Sequence, residues 1–240
     1  MVNVVGRIAV VKVEIARLFR AALVSLRSGR RPWLACVAWI LAVAATLADR
    51  GSTRHLLLSG GGVRANLPLW QEIIRLPVSA FVPTPELPLI GAVAQLLIVF
   101  SLGEVLLGRR ATLLVAALGQ LVSSLAARVM ILAGTAAMVG LPASQAAVLD
   151  TGPSGMTTAV GAWLLVRTRC YGCLTVLGLA IGSLAVAQDN LDGREHFVAY
   201  IVGVLTAAAL PLVRALAALL RRYWHLLSAG ISRAPHYGGF

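Results

Sequence analysis

Apolar runs dominate this chain, and arginine clusters, polar turns and one long mixed segment punctuate them. The runs cover residues 33–48, 87–107, 112–134, 154–166, 171–187 and 196–220. Crossing the hydrocarbon of a bilayer takes about 20 predominantly apolar residues in helical form, and several runs approach or exceed that length. The pattern predicts an all-α polytopic membrane protein with six transmembrane helices. Ahead of the first run, Arg7, Lys12, Arg17, Arg20, Arg27, Arg30 and Arg31 alternate with Ile8, Val10, Val13, Ile15, Leu18 and Phe19. Residues 1–31 therefore read as a basic amphipathic segment lying on an anionic inner leaflet. Charges interrupt its apolar positions, which argues against a secretory signal. Residues 32–222 form the expected membrane domain, and 223–240 a cytoplasmic tail. The mixed segment 50–86 carries Gly60-Gly61-Gly62, Pro68, Trp70 and Pro77. A connection this long in a compact protein usually has a function. Short amphipathic helices are expected in it, with Trp70 at headgroup depth.

Composition agrees with this picture. The 240 residues are 59% hydrophobic and 12% charged, well outside the usual range for a soluble domain. The net charge of +12 does not point to nucleic acid, because the arginines fall in short clusters between spans, where they set topology. In a six-span arrangement the N-terminus, Arg109/Arg110, Arg167/Arg169 and the C-terminal arginines share one side, so both ends are expected in the cytoplasm of a cell whose plasma membrane the chain crosses. One lysine against many arginines suggests a GC-rich bacterial genome. Cys36, Cys170 and Cys173 give no disulfide framework. Cys170-Tyr171-Gly172-Cys173 has a redox or metal spacing, but a structural role in a tight turn is the plainer expectation. No HExxH or phosphate loop is present, and Asp189, Asp192 and Glu195 read as a solvated loop. No metal and no cofactor is expected.

Chemistry concentrates at Asp150-Thr151-Gly152-Pro153-Ser154-Gly155. Pro153 suits a first helical turn, which puts Ser154 at a helix start among free backbone N–H groups. Those groups can hold an oxyanion, with Gly152, Ser154 and Gly155 as the backbone candidates. The alternative is that Asp150, Thr151 or Ser154 only caps the helix. On the six-span topology, Ser154 and His196 both lie at the outer ends of their helices, each in a first turn. A histidine entering a span is a functional candidate. The pair could act as nucleophile and general base. Ala199, Gly203 and Ala207 recur at four-residue spacing after His196, and such small residues let membrane helices approach closely.

These residues resemble the rhomboid family of intramembrane serine proteases over about residues 87–213. Gly152-x-Ser154-Gly155 is similar to the rhomboid GxSG that supplies the nucleophile. His196-x-x-Ala199-x-x-x-Gly203 is similar to its HxxGxxxG, and Glu104-x-x-Leu107-Gly108 to its ExxLG. The resemblance implies a six-helix bundle, cleavage of transmembrane substrates near the outer leaflet, and a Ser154–His196 dyad. The chain departs from the family where a His and an Asn of the second helix help hold the oxyanion: the matching positions are near Pro88 and Ala92, which lack side-chain donors. Thr158 stands where an aromatic often stacks on the histidine. Two other readings stand beside the protease: a catalytically inactive rhomboid-like protein that binds client membrane helices, and a small transporter. Arg128 is the one charge that would fit a transporter, unless it pairs with Asp150.

Overall fold

The computed structural model describes residues 4–48, 52–82, 89–137, 139–187 and 190–231. Among these residues the regular secondary structure is helical, with a single isolated β-bridge between Val63 and Asp150. Pro88, Asp189, His236 and the tail beyond Ile231 lie outside the described residues.

Helix α1 (Val4–Arg27) is the basic amphipathic segment, and α2 (Trp33–Ala48) is the first apolar run. The long connection folds into two short helices, α3 (Ser52–Gly61) and α4 (Leu69–Ser79), and Trp70 stands exposed on α4. The second run is broken in two: α5 (Leu89–Gln95), a π turn (Leu96–Phe100) and α6 (Ser101–Leu107). Then follow α7 (Arg109–Ala133), α8 (Ser154–Arg167), α9 (Tyr171–Ala187) and α10 (Leu191–Ile231). Among the described residues, three helical stretches are long and apolar enough to cross a membrane: Ile90–Leu107, Arg109–Ala133 and Leu191–Arg221. α2 and α9 are shorter apolar helices. Large apolar side chains such as Ile90, Leu132, Val186 and Leu212 are exposed, a pattern that marks a membrane or partner-facing surface.

Three boundaries differ from the sequence expectation, one being the end of the last helix, which continues past residue 220 to Ile231 and into the expected tail. Arg109 and Arg110 do not form the turn after the second run. Gly108 makes it alone at φ 99°, a conformation that glycine adopts at little cost, so α7 starts at once with the arginines in its first turn. The last helix begins at Leu191 rather than 196. Asn190 caps it, its side-chain oxygen accepting the Gly193 N–H at 3.1 Å, and a capped start extends the helix upstream. Glu195 is therefore helical and half-buried, not part of a solvated loop.

α8 is the centre of the bundle. It packs on both α7 and α10, which also touch each other. Its small residues permit this. A Cβ on Gly203 of α10 would lie 2.2 Å from the Ala159 carbonyl oxygen, and a Cβ on Gly119 of α7 would lie 2.3 Å from Ala159 Cβ. Ala159, Val160 and Trp163 of α8 are fully buried between these neighbours, with Ala199 of α10 equally buried beside them.

Buried carboxylates fasten the periphery. Glu104 accepts the Leu34 N–H at the start of α2 (2.6 Å) and Arg109 Nε (2.7 Å), so one side chain joins α6, α2 and the Gly108 turn. Glu14, the only carboxylate in residues 1–48, accepts the N–H groups of Gly172 (3.1 Å) and Cys173 (2.8 Å) and so caps α9 from α1. Burial pushes its carboxyl up, but those two donors and the nearby Arg17 outweigh burial and hold it below the ordinary range. The Cys170 and Cys173 sulfurs lie against α1, 3.9 Å from the carbonyl oxygens of Glu14 and Val11. Arg128 does not pair with Asp150. It donates to Glu72 of α4 and to the Leu67 carbonyl, locking the connection onto α7.

Candidate functional site

The chain reaches Ser154 through a loop held in place from outside the bundle. Asp150 N–H donates to the Val63 carbonyl (2.9 Å) and Gly152 N–H to the Ser79 carbonyl (2.8 Å). The α3–α4 connection thus clamps the two residues that lead into α8. Gly152 supplies the sharp bend at φ 106°. Pro153 occupies the cap position immediately before the helix rather than its first turn, and no side-chain cap is made there. Asp150, Thr151 and Ser154 therefore do not act as side-chain caps of α8. Asp150 instead accepts the Ser124 hydroxyl at 3.0 Å. Thr151 Oγ1 is buried without a hydrogen-bond partner among the described residues.

Ser154 is the first residue of α8. The first N–H groups of a helix have no partner within it, and Thr157 is the first to find one, at the Pro153 carbonyl (2.9 Å). Of the three backbone donors expected to serve an oxyanion, Gly152 is committed to Ser79, which leaves Ser154 and Gly155. Gly155 is pressed against α7: a Cβ there would meet Gln120 Oε1 at 2.9 Å and Ser123 Oγ at 3.1 Å. Only glycine fits that contact without a shift.

His196 lies in the second turn of α10 rather than the first, because the helix starts upstream. Its Nδ1 is 2.6 Å from the Asp192 carbonyl oxygen and 3.4 Å from Asp192 Oδ1. A carbonyl oxygen can only accept, so Nδ1 carries a proton, and in the neutral imidazole the lone pair is then on Nε2. A general base needs that tautomer.

Ser154 and His196, far apart in the chain, line one cavity of about 610 Å³. Gln95, Gln145, Asp150, Thr151, Gly152, Asn190, Asp192 and Glu195 line it with them. No hydrogen bond joins Ser154 Oγ to His196 among the described residues; both face shared space. Glu195 lines the same wall as Asp150. Burial raises the Asp150 carboxyl above its ordinary range, and the Ser124 hydrogen bond only partly offsets it. Ala199 and Gly203, one and two turns beyond His196, face the close crossing with α8 rather than the cavity.

Sequence reasoning missed several lining residues. Gln95 is the most informative. It is the only polar side chain between residues 87 and 100, and a lone amide in an apolar run is a signal. Ala92, the position matched to a side-chain donor, does not line the cavity; Gln95, one turn later, does. Asp192, Glu195 and Asn190 were hidden by the expectation of a loop. No family model, curated protein or solved structure matches the chain.

Proposed function

We propose that this chain is a rhomboid-like intramembrane serine protease, with Ser154 as nucleophile and His196 as general base. One observation carries the reading: the two residues line a single cavity where the N-terminal ends of α8 and α10 meet. His196 has its Nδ1 proton engaged by Asp192, so Nε2 is free to take the serine proton. In the six-span arrangement both chain ends are cytoplasmic and the cavity opens toward the outer leaflet. α8, with 14 residues, is about 21 Å long, short of the ~30 Å hydrocarbon layer. Its N-terminus would then be sunk below the surface, in a recess whose polar walls hold water. A transmembrane substrate would unwind there to present its peptide bond.

The chemistry runs in two halves. Ser154 Oγ attacks the carbonyl carbon while its proton passes to His196 Nε2. The tetrahedral oxyanion collapses, the C–N bond breaks, and the histidine proton goes to the leaving amine. Water repeats the sequence on the acyl-serine, returning Ser154 and releasing the carboxylic acid.

Coexpression with a panel of single-span reporter proteins tests this. The wild type should release a fragment that Ser154→Ala and His196→Ala both fail to release while remaining folded; undiminished cleavage by either variant would refute the dyad. A second reading has its own observation. Ser154 and His196 make no hydrogen bond, and Ala92 offers no donor, as suits a catalytically inactive relative that binds client helices. Reporter capture that survives Ser154→Ala, with no product from the wild type, would favour that reading.

A further inference from the structure

Resting on the hydrolase reading, we infer that Gln95 supplies the side-chain oxyanion donor that the second apolar run otherwise lacks. Three observations converge on its amide. Gln95 lines the cavity that holds Ser154 and His196. Its Oε1 accepts the Thr157 hydroxyl at 3.1 Å. That hydroxyl also lies 3.2 Å from the Ser154 carbonyl oxygen. Thr157 is 5% exposed and sits one turn after Ser154 on α8, so the carbonyl end of the Gln95 amide is fixed to the helix that carries the nucleophile. The amide nitrogen, with its two protons, is the group left to serve the cavity.

The backbone explains why this residue takes the role. The π turn Leu96–Phe100 begins immediately after Gln95. π turns widen a helix locally and occur often at functional sites. Leu96 and Phe100 turn into the core, where both are fully buried, while Gln95 stays on the cavity side. Pro88 and Ala92 are the positions matched to donors, yet the bundle presents a donor at Gln95.

When Ser154 Oγ bonds to the substrate carbonyl carbon, the C=O π pair moves onto oxygen. The charge that develops there would be met by Gln95 Nε2–H together with the N–H groups of Ser154 and Gly155. Gln95 is then a catalytic residue, and Thr157 a positioning residue that acts through it.

The test is the kinetics of Ser154 phosphonylation by a fluorophosphonate probe in the purified full-length protein. This reaction also places negative charge on an oxygen at the attacked centre. Varying probe concentration separates the maximal inactivation rate from the probe's binding constant. Gln95→Ala should lower the maximal rate about 10²-fold with the binding constant unchanged and the melting temperature within a few degrees. Gln95→Glu should be at least as slow, since it places an anion where another must form. Thr157→Val should lower the rate about tenfold by freeing the amide, and Thr157→Ser should restore it. Wild-type rates in Gln95→Ala, with the wild type itself reactive at Ser154, overturn this inference alone. A wild type inert to the probe overturns the hydrolase reading, and the inference with it.

Discussion

Gly203→Ala should cripple the site without touching it. The added Cβ would stand 2.2 Å from the Ala159 carbonyl oxygen and 2.9 Å from Ala162 Cβ. Carbon atoms pack at roughly 3.5–4.0 Å, so α10 must back away from α8 by about 1 Å. The nearest obstacle is backbone, so no side-chain rotation relieves it. Overpacking of this kind costs about 1–3 kcal/mol, offset in part by the higher helix propensity of alanine, worth up to about 1 kcal/mol. The functional loss should be larger than the stability loss. Ser154 rides on α8 and His196 on α10, and about 1 Å of misplacement can cost on the order of 10²-fold in rate. Gly161→Ala is the control: it lies on α8, and nothing stands within 4 Å of its added Cβ. It should be neutral or stabilising and leave reactivity intact. Thermal melts in detergent and fluorophosphonate labelling rates measure the two quantities. Unchanged labelling by folded Gly203→Ala would show that the α8–α10 crossing does not set the dyad geometry.

Other perturbations follow from the same contacts. Glu14→Gln should cost about 1–2 kcal/mol, the scale of a charged helix cap, seen in thermal melts at neutral pH. Because the folded protein holds Glu14 below the ordinary carboxylate range, its stabilisation is complete above the unfolded value and is lost as pH falls through the folded one. The difference in melting temperature between wild type and Glu14→Gln should therefore shrink on acidification. Glu72→Ala should destabilise by about 3 kcal/mol, leaving Arg128 largely buried without its carboxylate, and limited proteolysis should then cut first within residues 52–82. Asp192→Asn should slow Ser154 labelling by less than tenfold. The exposed carboxylate contributes little, while the backbone carbonyl that orients His196 remains.

The helical architecture was plain in the chain because apolar run length and arginine punctuation are local properties. Residues 33–48, 154–166 and 171–187 became helices almost to the residue. What escaped reading depends on pairing across the chain. Nothing local ties Glu14 to Gly172, Glu72 to Arg128, or Gln95 to Thr157. The start of α10 was readable in principle from Asn190, a good cap, but the acidic residues after it suggested a loop. Ser154 and His196 stood out because each is an unusual residue beside an apolar run. Their meeting in one cavity depends on how close Gly203 lets two helices come, and no sequence pattern fixes that separation.

The most direct test of the account is to map the fluorophosphonate adduct by mass spectrometry in the wild type, Ser154→Ala and His196→Ala. The account predicts one adduct, on Ser154, absent from Ser154→Ala and slowed by at least about 10³-fold in folded His196→Ala. A wild type with no adduct, or a Ser154 adduct that forms equally fast without His196, would contradict it.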